Sequence, residues 1–173
     1  ESLPEPLRRS ALPIHSRAWL ALSLAELGEF AEGVVPAEEA VRLAEAVDRP
    51  FDLVTAYWGV GYLRLRKGDL DKAIPILERI LALVQAGNFS TWFGTIESSL
   101  GYAYALSGRT GEALPLLERA MARERGYYRR RLAYLSEAYL REGRFEEAIR
   151  LAQQFFQRSH DRKERGYEAW ALR

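Results

Sequence analysis

The stretch Leu100-Gly-Tyr-Ala-Tyr-Ala-Leu-Ser-Gly108-Arg-Thr-Gly-Glu-Ala113-Leu-Pro-Leu-Leu-Glu-Arg-Ala120 reads as a helix, a tight turn and a second helix. Gly108 marks the turn. Small residues stand seven positions before it (Gly101) and five after it (Ala113). The same frame recurs around Gly28, Gly68 and Gly143, with the small pairs Ala21 and Gly33, Gly61 and Ala73, Ser136 and Ala148. An apolar residue precedes the first small one each time (Leu20, Val60, Leu100, Leu135). An aliphatic follows the second (Val34, Ile74, Leu114, Ile149). The four glycines are 40, 40 and 35 residues apart. Self-similarity at such a period marks stacked supersecondary units, so the repeat decides the fold before any single helix does.

Close approach explains the small residues. Two antiparallel helices joined by a short turn pack tightly only where small side chains face each other. Gly inside a helix costs about 1 kcal/mol relative to Ala, so Gly61 and Gly101 have to be offset by packing. A larger side chain there overpacks, at about 1–3 kcal/mol. Breaks between hairpins fall at Asp48-Arg-Pro50-Phe, Ala86-Gly-Asn-Phe-Ser90, Gly126 and Ser159-His-Asp161. In the second break Gly87 reads as a C′ residue and Ser90 as an N-cap. Helices are predicted at 11–27, 31–47, 52–67, 70–86, 90–107, 110–125, 128–142, 145–159 and 162–173. Pro36, Pro75 and Pro115 fall early in the second helix of their hairpins, where each is expected to bend the helix mildly.

Residues 1–10, with Pro4 and Pro6, read as a linker or the end of a preceding element. Residues 11–173 read as a helical repeat domain, with repeats at about 11–49, 50–89, 90–126 and 127–161 and a partial one at 162–173. The missing initiator Met, and a final amphipathic run without a stop signal, lead us to expect a piece of something longer.

Composition narrows the chemistry. The chain is 48% hydrophobic and 28% charged, as an ordinary globular domain is. No apolar run reaches the length of a membrane span. No signal peptide is visible, so a cytoplasmic location is expected. Cysteine is absent, which excludes disulfides, thiolate catalysis and Cys-based zinc sites. The two histidines, His15 and His160, lie in different repeats without carboxylates at metal-ligand spacing, and each reads as an exposed or loop histidine. There is no P-loop and no GxGxxG. We therefore expect no catalytic residue, no metal, no cofactor and no enzyme. Net charge is +1, but residues 1–108 carry ten basic and fourteen acidic groups, and residues 109–173 fifteen and ten. Solvated helix faces with pairs such as Glu146–Arg150 account for most of this.

The frame resembles the tetratricopeptide repeat family, a helix A–turn–helix B unit. Tyr57, Val60, Gly61, Gly68, Leu70 and Ala73 fill the family pattern in the second repeat, and Leu100, Gly101, Tyr104, Gly108 and Ala113 in the third. Leu135, Ser136, Tyr139, Gly143, Phe145 and Ala148 fill it in the fourth. The first matches through Leu20, Ala21, Leu24, Gly28, Phe30 and Ala40, with Gly33 for the usual Ala. Arg64 and Thr110 stand where aromatics are usual, and the period of 40 exceeds the family's value of about 34. The resemblance implies an all-α, right-handed superhelical solenoid of about four antiparallel hairpins plus a truncated final helix. It also implies a protein-interaction scaffold that holds a peptide or helix in a concave groove lined by A helices. Longer-period arrays of this kind resemble the regulatory arms of larger bacterial signalling proteins.

By that resemblance the groove takes Trp58, Tyr62, Arg66, Tyr102, Leu106, Glu137 and Arg141. Trp58, Tyr62 and Tyr102 form either an exposed aromatic strip or packing between repeats. Trp19, Trp92 and Trp170 are expected to pack between hairpins. Ala18 and Leu22 occupy positions where chaperone-tail adaptors of the family carry a carboxylate clamp, and neither can bind a carboxylate. Arg123, Arg125, Arg129, Arg130 and Arg131, interleaved with Tyr127 and Tyr128, form a possible patch for an anionic partner. Acidic neighbours such as Glu118, Glu124 and Glu137 argue against nucleic acid. Two other readings stand beside the scaffold: self-association of the array, for instance through the end near Trp170, and a small-ligand sensor.

Overall fold

Four glycines turn the chain with left-handed backbone: Gly28 (φ 82°), Gly68 (φ 87°), Gly108 (φ 82°) and Gly143 (φ 77°). A Cβ at any of them would meet nothing within 4 Å, so the demand for glycine is conformational and not one of space. Each sits in the same hydrogen-bonded C-cap. The N–H of the following residue donates back to the carbonyl five positions earlier, as Glu29 to Leu24 (2.9 Å), Asp69 to Arg64 (3.0 Å), Arg109 to Tyr104 (2.8 Å) and Arg144 to Tyr139 (2.9 Å). The glycine's own N–H bonds the carbonyl three positions back, which completes a Schellman motif and satisfies the orphan carbonyls of the helix.

The computed structural model describes residues 11–123 and 128–172, the side chains of 128 and 129 aside. The predicted linker at 1–10, Gly126 and Arg125 lie outside the described residues. Among those described, every regular element is a helix: α1 (Leu12–Leu27), α2 (Phe30–Val47), α3 (Pro50–Lys67), α4 (Leu70–Ala86), α5 (Ser90–Leu106), α6 (Thr110–Ala122), α7 (Tyr128–Arg141), α8 (Phe145–Asp161) and α9 (Arg165–Ala171). None of them is long and apolar enough to cross a membrane.

The breaks between hairpins differ in detail from expectation. Pro50 opens α3 at its first position, where the lost N–H has no helical partner anyway. The left-handed residue after α4 is Asn88 (φ 49°), while Gly87 keeps φ −85°. Asn tolerates that conformation, so glycine was not required there. The fourth hairpin does not end at Ser159. Its hydroxyl donates to the Phe155 carbonyl at 2.9 Å, within a helix that continues to Asp161. The turn comes at Lys163 (φ 58°), and α9 starts at Arg165.

The chain divides into two compact units, one running to Ser90 and the other starting at Thr91. In the first, α3 packs against α1, α2 and α4. A Cβ at Gly59 would lie 3.1 Å from the Ala18 backbone, and one at Gly33 would run into the Leu63 side chain. Gly61 faces Ile76 and Leu77 of its own hairpin partner. The small residues thus meet larger side chains and the neighbouring hairpin more than each other, and Gly59, which the sequence reading did not single out, makes the closest backbone approach of this unit. In the second unit Gly101 of α5 faces Leu117 and Ala113 of α6, where a Cβ would lie 2.8 Å from Leu117 Cγ. Ser136 of α7 uses its small size differently: its hydroxyl donates to the Ala148 carbonyl of α8 at 2.9 Å. Buried leucines and isoleucines (Leu63, Leu77, Ile80 in one unit; Ile96, Leu100, Leu117 in the other) fill the cores. Each contributes about 1.5–3 kcal/mol.

Candidate functional site

On the A-helix face of the first unit the polar heads sit over a buried aromatic floor. Trp58 is 2% exposed and Tyr62 0%, with ring centroids 4.9 Å apart. The exposed aromatic strip is therefore corrected for these two residues. Gly59 lets α3 settle on Ala18 of α1, and the rings of α3 go inward with it. What reaches the surface is the cluster around Tyr62: its hydroxyl donates to Glu26, and Arg66 Nη2 lies 3.6 Å from the same carboxylate. At the other end of this face His15 Nε2 stands 3.0 Å from Asp52 Oδ1, and Arg49 donates to the other oxygen of that buried carboxylate. His15 is thus part of a packed polar cluster and not a loop histidine. Trp19 is exposed, contrary to expectation, because its neighbour Ala18 takes the position facing α3.

The second unit carries a related cluster on α5 and α7. Tyr102 stacks on Tyr134 with centroids 3.9 Å apart and its hydroxyl donates to Glu137 Oε2 at 2.8 Å. Arg141 Nη2 donates to the other oxygen at 3.1 Å. Tyr102 is buried through its ring, so only the polar end of the stack borders solvent. Beside it opens a cavity of about 600 Å³, walled by Leu106 of α5, Glu137 and Leu140 of α7, Ile149 and Ala152 of α8 and Trp170 of α9. The structure thus places Tyr102, Leu106 and Glu137 on one cavity, with Arg141 bonded to Glu137, and gives that cavity a wall from α8 that the groove reading did not include.

The arginine patch does not stand as predicted. Arg131 is 1% exposed. Its Nη1 donates to the carbonyls of Ala120 (2.9 Å) and Arg123 (2.6 Å), capping the C-terminal end of α6. Gly94 makes the room, since a Cβ there would lie 2.6 Å from the guanidinium carbon. Burial pulls the Arg131 pKa down, the charge of Glu97 opposes this, and Arg123 adds to the lowering. Arg123 and Arg119 both turn to Glu97, a carboxylate only 3% exposed, at 2.8 and 3.4 Å, and Arg123 also covers the Phe93 ring. Arg130 is half-buried. Arg125 and the side chain of Arg129 lie outside the described residues. Glu97 and Gly94 were the signals available in the sequence: the one charged residue of α5 and a glycine three positions before it.

Among the described residues no group of three His, Cys, Asp or Glu is placed to hold a metal ion. Three family models, each of the tetratricopeptide repeat, match the chain at residues 14–35, 52–125 and 104–166. The chain belongs to the tetratricopeptide repeat family. No curated protein matches it. Its fold is shared by solved structures of the nearly identical TPR-like repeats of a kinesin light chain-type protein from Podosopora anserina. One is 21% identical with a TM-score of 0.68, covering 88% of this chain and 77% of that one. A single-substitution variant of the same protein is 22% identical with a TM-score of 0.67, covering 86% and 76%. In tetratricopeptide repeat terms α1, α3, α5, α7 and α9 are A helices, and α2, α4, α6 and α8 are B helices. Such repeats are in general scaffolds for protein–protein interaction, and this chain carries that scaffold.

Proposed function

We propose that this tetratricopeptide repeat chain is a non-enzymatic scaffold whose A-helix faces bind a peptide or a helix of another protein. The observation that carries the reading is a polar cluster of the same three residue types in each unit, built from different repeat positions. Tyr62, Glu26 and Arg66 form it in the first unit, and Tyr102, Glu137 and Arg141 in the second. In each a buried ring holds a carboxylate at the surface, with an arginine beside it. The arrangement fixes charged heads over apolar area, which suits a partner presenting backbone and side-chain polar groups along an extended or helical segment. Arg66, Leu106, Glu137 and Arg141 are the contact residues of this reading. Trp58 and Tyr62 support it from below. A role as the interaction arm of a larger bacterial regulatory protein is part of the same reading, supported by the long period of the repeats.

Selection from a peptide-display library on the immobilised chain tests it. The comparison is a triple variant, Arg66→Ala/Leu106→Ala/Arg141→Ala, with helicity confirmed unchanged. Peptides enriched by the parent and lost by the variant support the groove. The same peptides enriched on both sink it.

A further inference from the structure

The turn glycines Gly68 and Gly108 are 40 residues apart, so Tyr57, Arg79 and Leu83 of the second repeat correspond to Glu97, Arg119 and Arg123 of the third. In the second repeat a ring lies under a guanidinium, with Arg79 4.3 Å from the Tyr57 ring centroid. In the third the same corner holds a carboxylate and two arginines, and Arg131 of α7 adds its charge to theirs. The repeat frame does not ask for a charged corner, since Tyr57 and Leu83 fill the same positions without one.

The charges of that corner do not cancel. Glu97 is the one acceptor for both exposed arginines: Arg119 Nε at 3.4 Å, and Arg123 through Nε at 2.8 Å and Nη2 at 3.4 Å. Arg131 bonds only neutral carbonyls, and its buried Nε makes no hydrogen bond among the described residues. Three guanidinia against one carboxylate leave a charge of +2. The C-terminal end of α6 offsets about 0.5 of it. A phosphate monoester carries about −1.5 to −2 at neutral pH and matches the remainder, whereas a single carboxylate does not. Donors are at hand as well. The side chains of Arg119 and Arg123 are 55% and 43% exposed. Among the described residues both terminal nitrogens of Arg119, and Nη1 of Arg123, make no hydrogen bond. The two stand at i and i+4 on α6, the spacing that sets side chains next to each other. The Phe93 ring, 4.7 Å from the Arg123 guanidinium, holds that head in place.

We infer that the corner formed by Arg119, Arg123 and the buried Arg131 is a binding site for a phosphate monoester, taken by the two exposed guanidinium forks. Glu97 holds the forks side by side, and Gly94 gives Arg131 room to bring its charge close. The site goes beyond the groove reading and uses none of Arg66, Leu106 and Arg141, so the two fail separately.

Phenyl phosphate and phenyl sulfate carry the same ring on a dianion and a monoanion. Each is titrated into the whole chain at matched ionic strength, with the arginine Nε–H resonances followed by NMR. Phenyl phosphate is expected to shift Arg119 and Arg123 and to bind at least about fivefold more tightly than the sulfate. Arg119→Gln, which loses one long contact, is expected to leave the denaturant midpoint in place and to weaken phenyl phosphate about tenfold. Arg123→Gln is expected to weaken it at least as much. Arg150→Gln, at an exposed arginine of α8, is expected to leave binding unchanged. Inorganic phosphate and N-acetyl-phosphoserine amide then compete with phenyl phosphate, and the stronger competitor tells a free anion from a phosphorylated side chain. Equal binding of phosphate and sulfate esters, shifts spread evenly over the exposed arginines, the same loss on Arg150→Gln, or no competition by either phosphate overturns the proposal.

Discussion

Ala25 and Leu140 hold the same position in two copies of one repeat, and almost nothing else about them is alike. Ala25 is closed over by α3, and Leu140 stands at the mouth of a cavity. The same holds one turn away, where Leu22 is buried and its counterpart Glu137 binds Tyr102 and Arg141. The difference teaches that the repeat frame fixes which way a residue faces, while the neighbouring helix fixes what it meets. Where the neighbour comes close, as α3 does over Ala18 at Gly59, the site is small and dry. At the same positions of the fourth repeat stand a longer and a polar residue, Leu140 and Glu137.

The largest effect expected from this contrast comes from placing a carboxylate at both positions. Ala25→Asp buries a charge without a partner and is expected to cost about 3–5 kcal/mol. Leu140→Asp, at an open site, is expected to change stability by no more than about 0.5 kcal/mol. Denaturant unfolding gives the totals, and hydrogen exchange shows whether the loss is confined to α1–α4. Comparable losses for the two variants would break the contrast between the covered and the exposed position.

The buried arginine sharpens the comparison from the other side. Both units bury rings, Trp58 and Tyr62 in the first and Tyr134 and Phe155 in the second, but the second also places a buried guanidinium, Arg131, at the end of α6. Arg131→Leu leaves the carbonyls of Ala120 and Arg123 without that donor and is expected to cost about 2–3 kcal/mol. Gly94→Ala pushes a methyl into the guanidinium, at about 1–3 kcal/mol. Because both act on the same space, the double variant is expected to cost clearly less than the sum, with a coupling of about 1 kcal/mol or more. Strict additivity in a double-mutant cycle would mean that Gly94 is not there to admit Arg131.

Most of the helical architecture was legible in the sequence, and the reason is local. Turn glycines need left-handed φ, and the small residues beside them need close approach, so both leave marks at fixed spacing. The last break was misplaced because Ser159 looks like a turn residue but bonds its own helix, and the left-handed role of Lys163 has no residue signature. The site was less legible. Trp58 and Tyr102 carry the same amphipathic character whether they face a groove or a core. A run of arginines looks like a patch until one member is found capping a helix. The cavity beside Tyr102 could not be read at all, because the sequence of α8 resembles that of every other B helix.

The smallest effect concerns two tyrosines on A helices of the second and fourth repeats, Tyr57 eleven and Tyr139 four positions before their turn glycines. Tyr57 donates to Glu45 at 2.7 Å with Arg79 4.3 Å from its ring centroid, and Tyr139 donates to Glu118 at 3.0 Å with Arg144 4.0 Å from its own. Burial first, then the hydrogen bond to Glu45, pushes the Tyr57 pKa up from 10.0 to about 12, against the pull of Arg79. Tyr139 is raised for the same reasons in the same order, with Arg144 opposing. A raised folded-state pKa means that the unfolded chain loses its proton first as pH rises. The stabilisation is therefore whole below pH 10 and is lost between pH 10 and about 12 for Tyr57. Tyr57→Phe removes the proton and with it that part of the slope, so its denaturant midpoint is expected to fall less than the parent's over this range. Tyr139→Phe is expected to do the same in the second unit, read by hydrogen exchange in α7 and α6. If neither substitution flattens the alkaline slope, the hydroxyls are not held in their neutral form by these carboxylates, and the two clusters are packing alone.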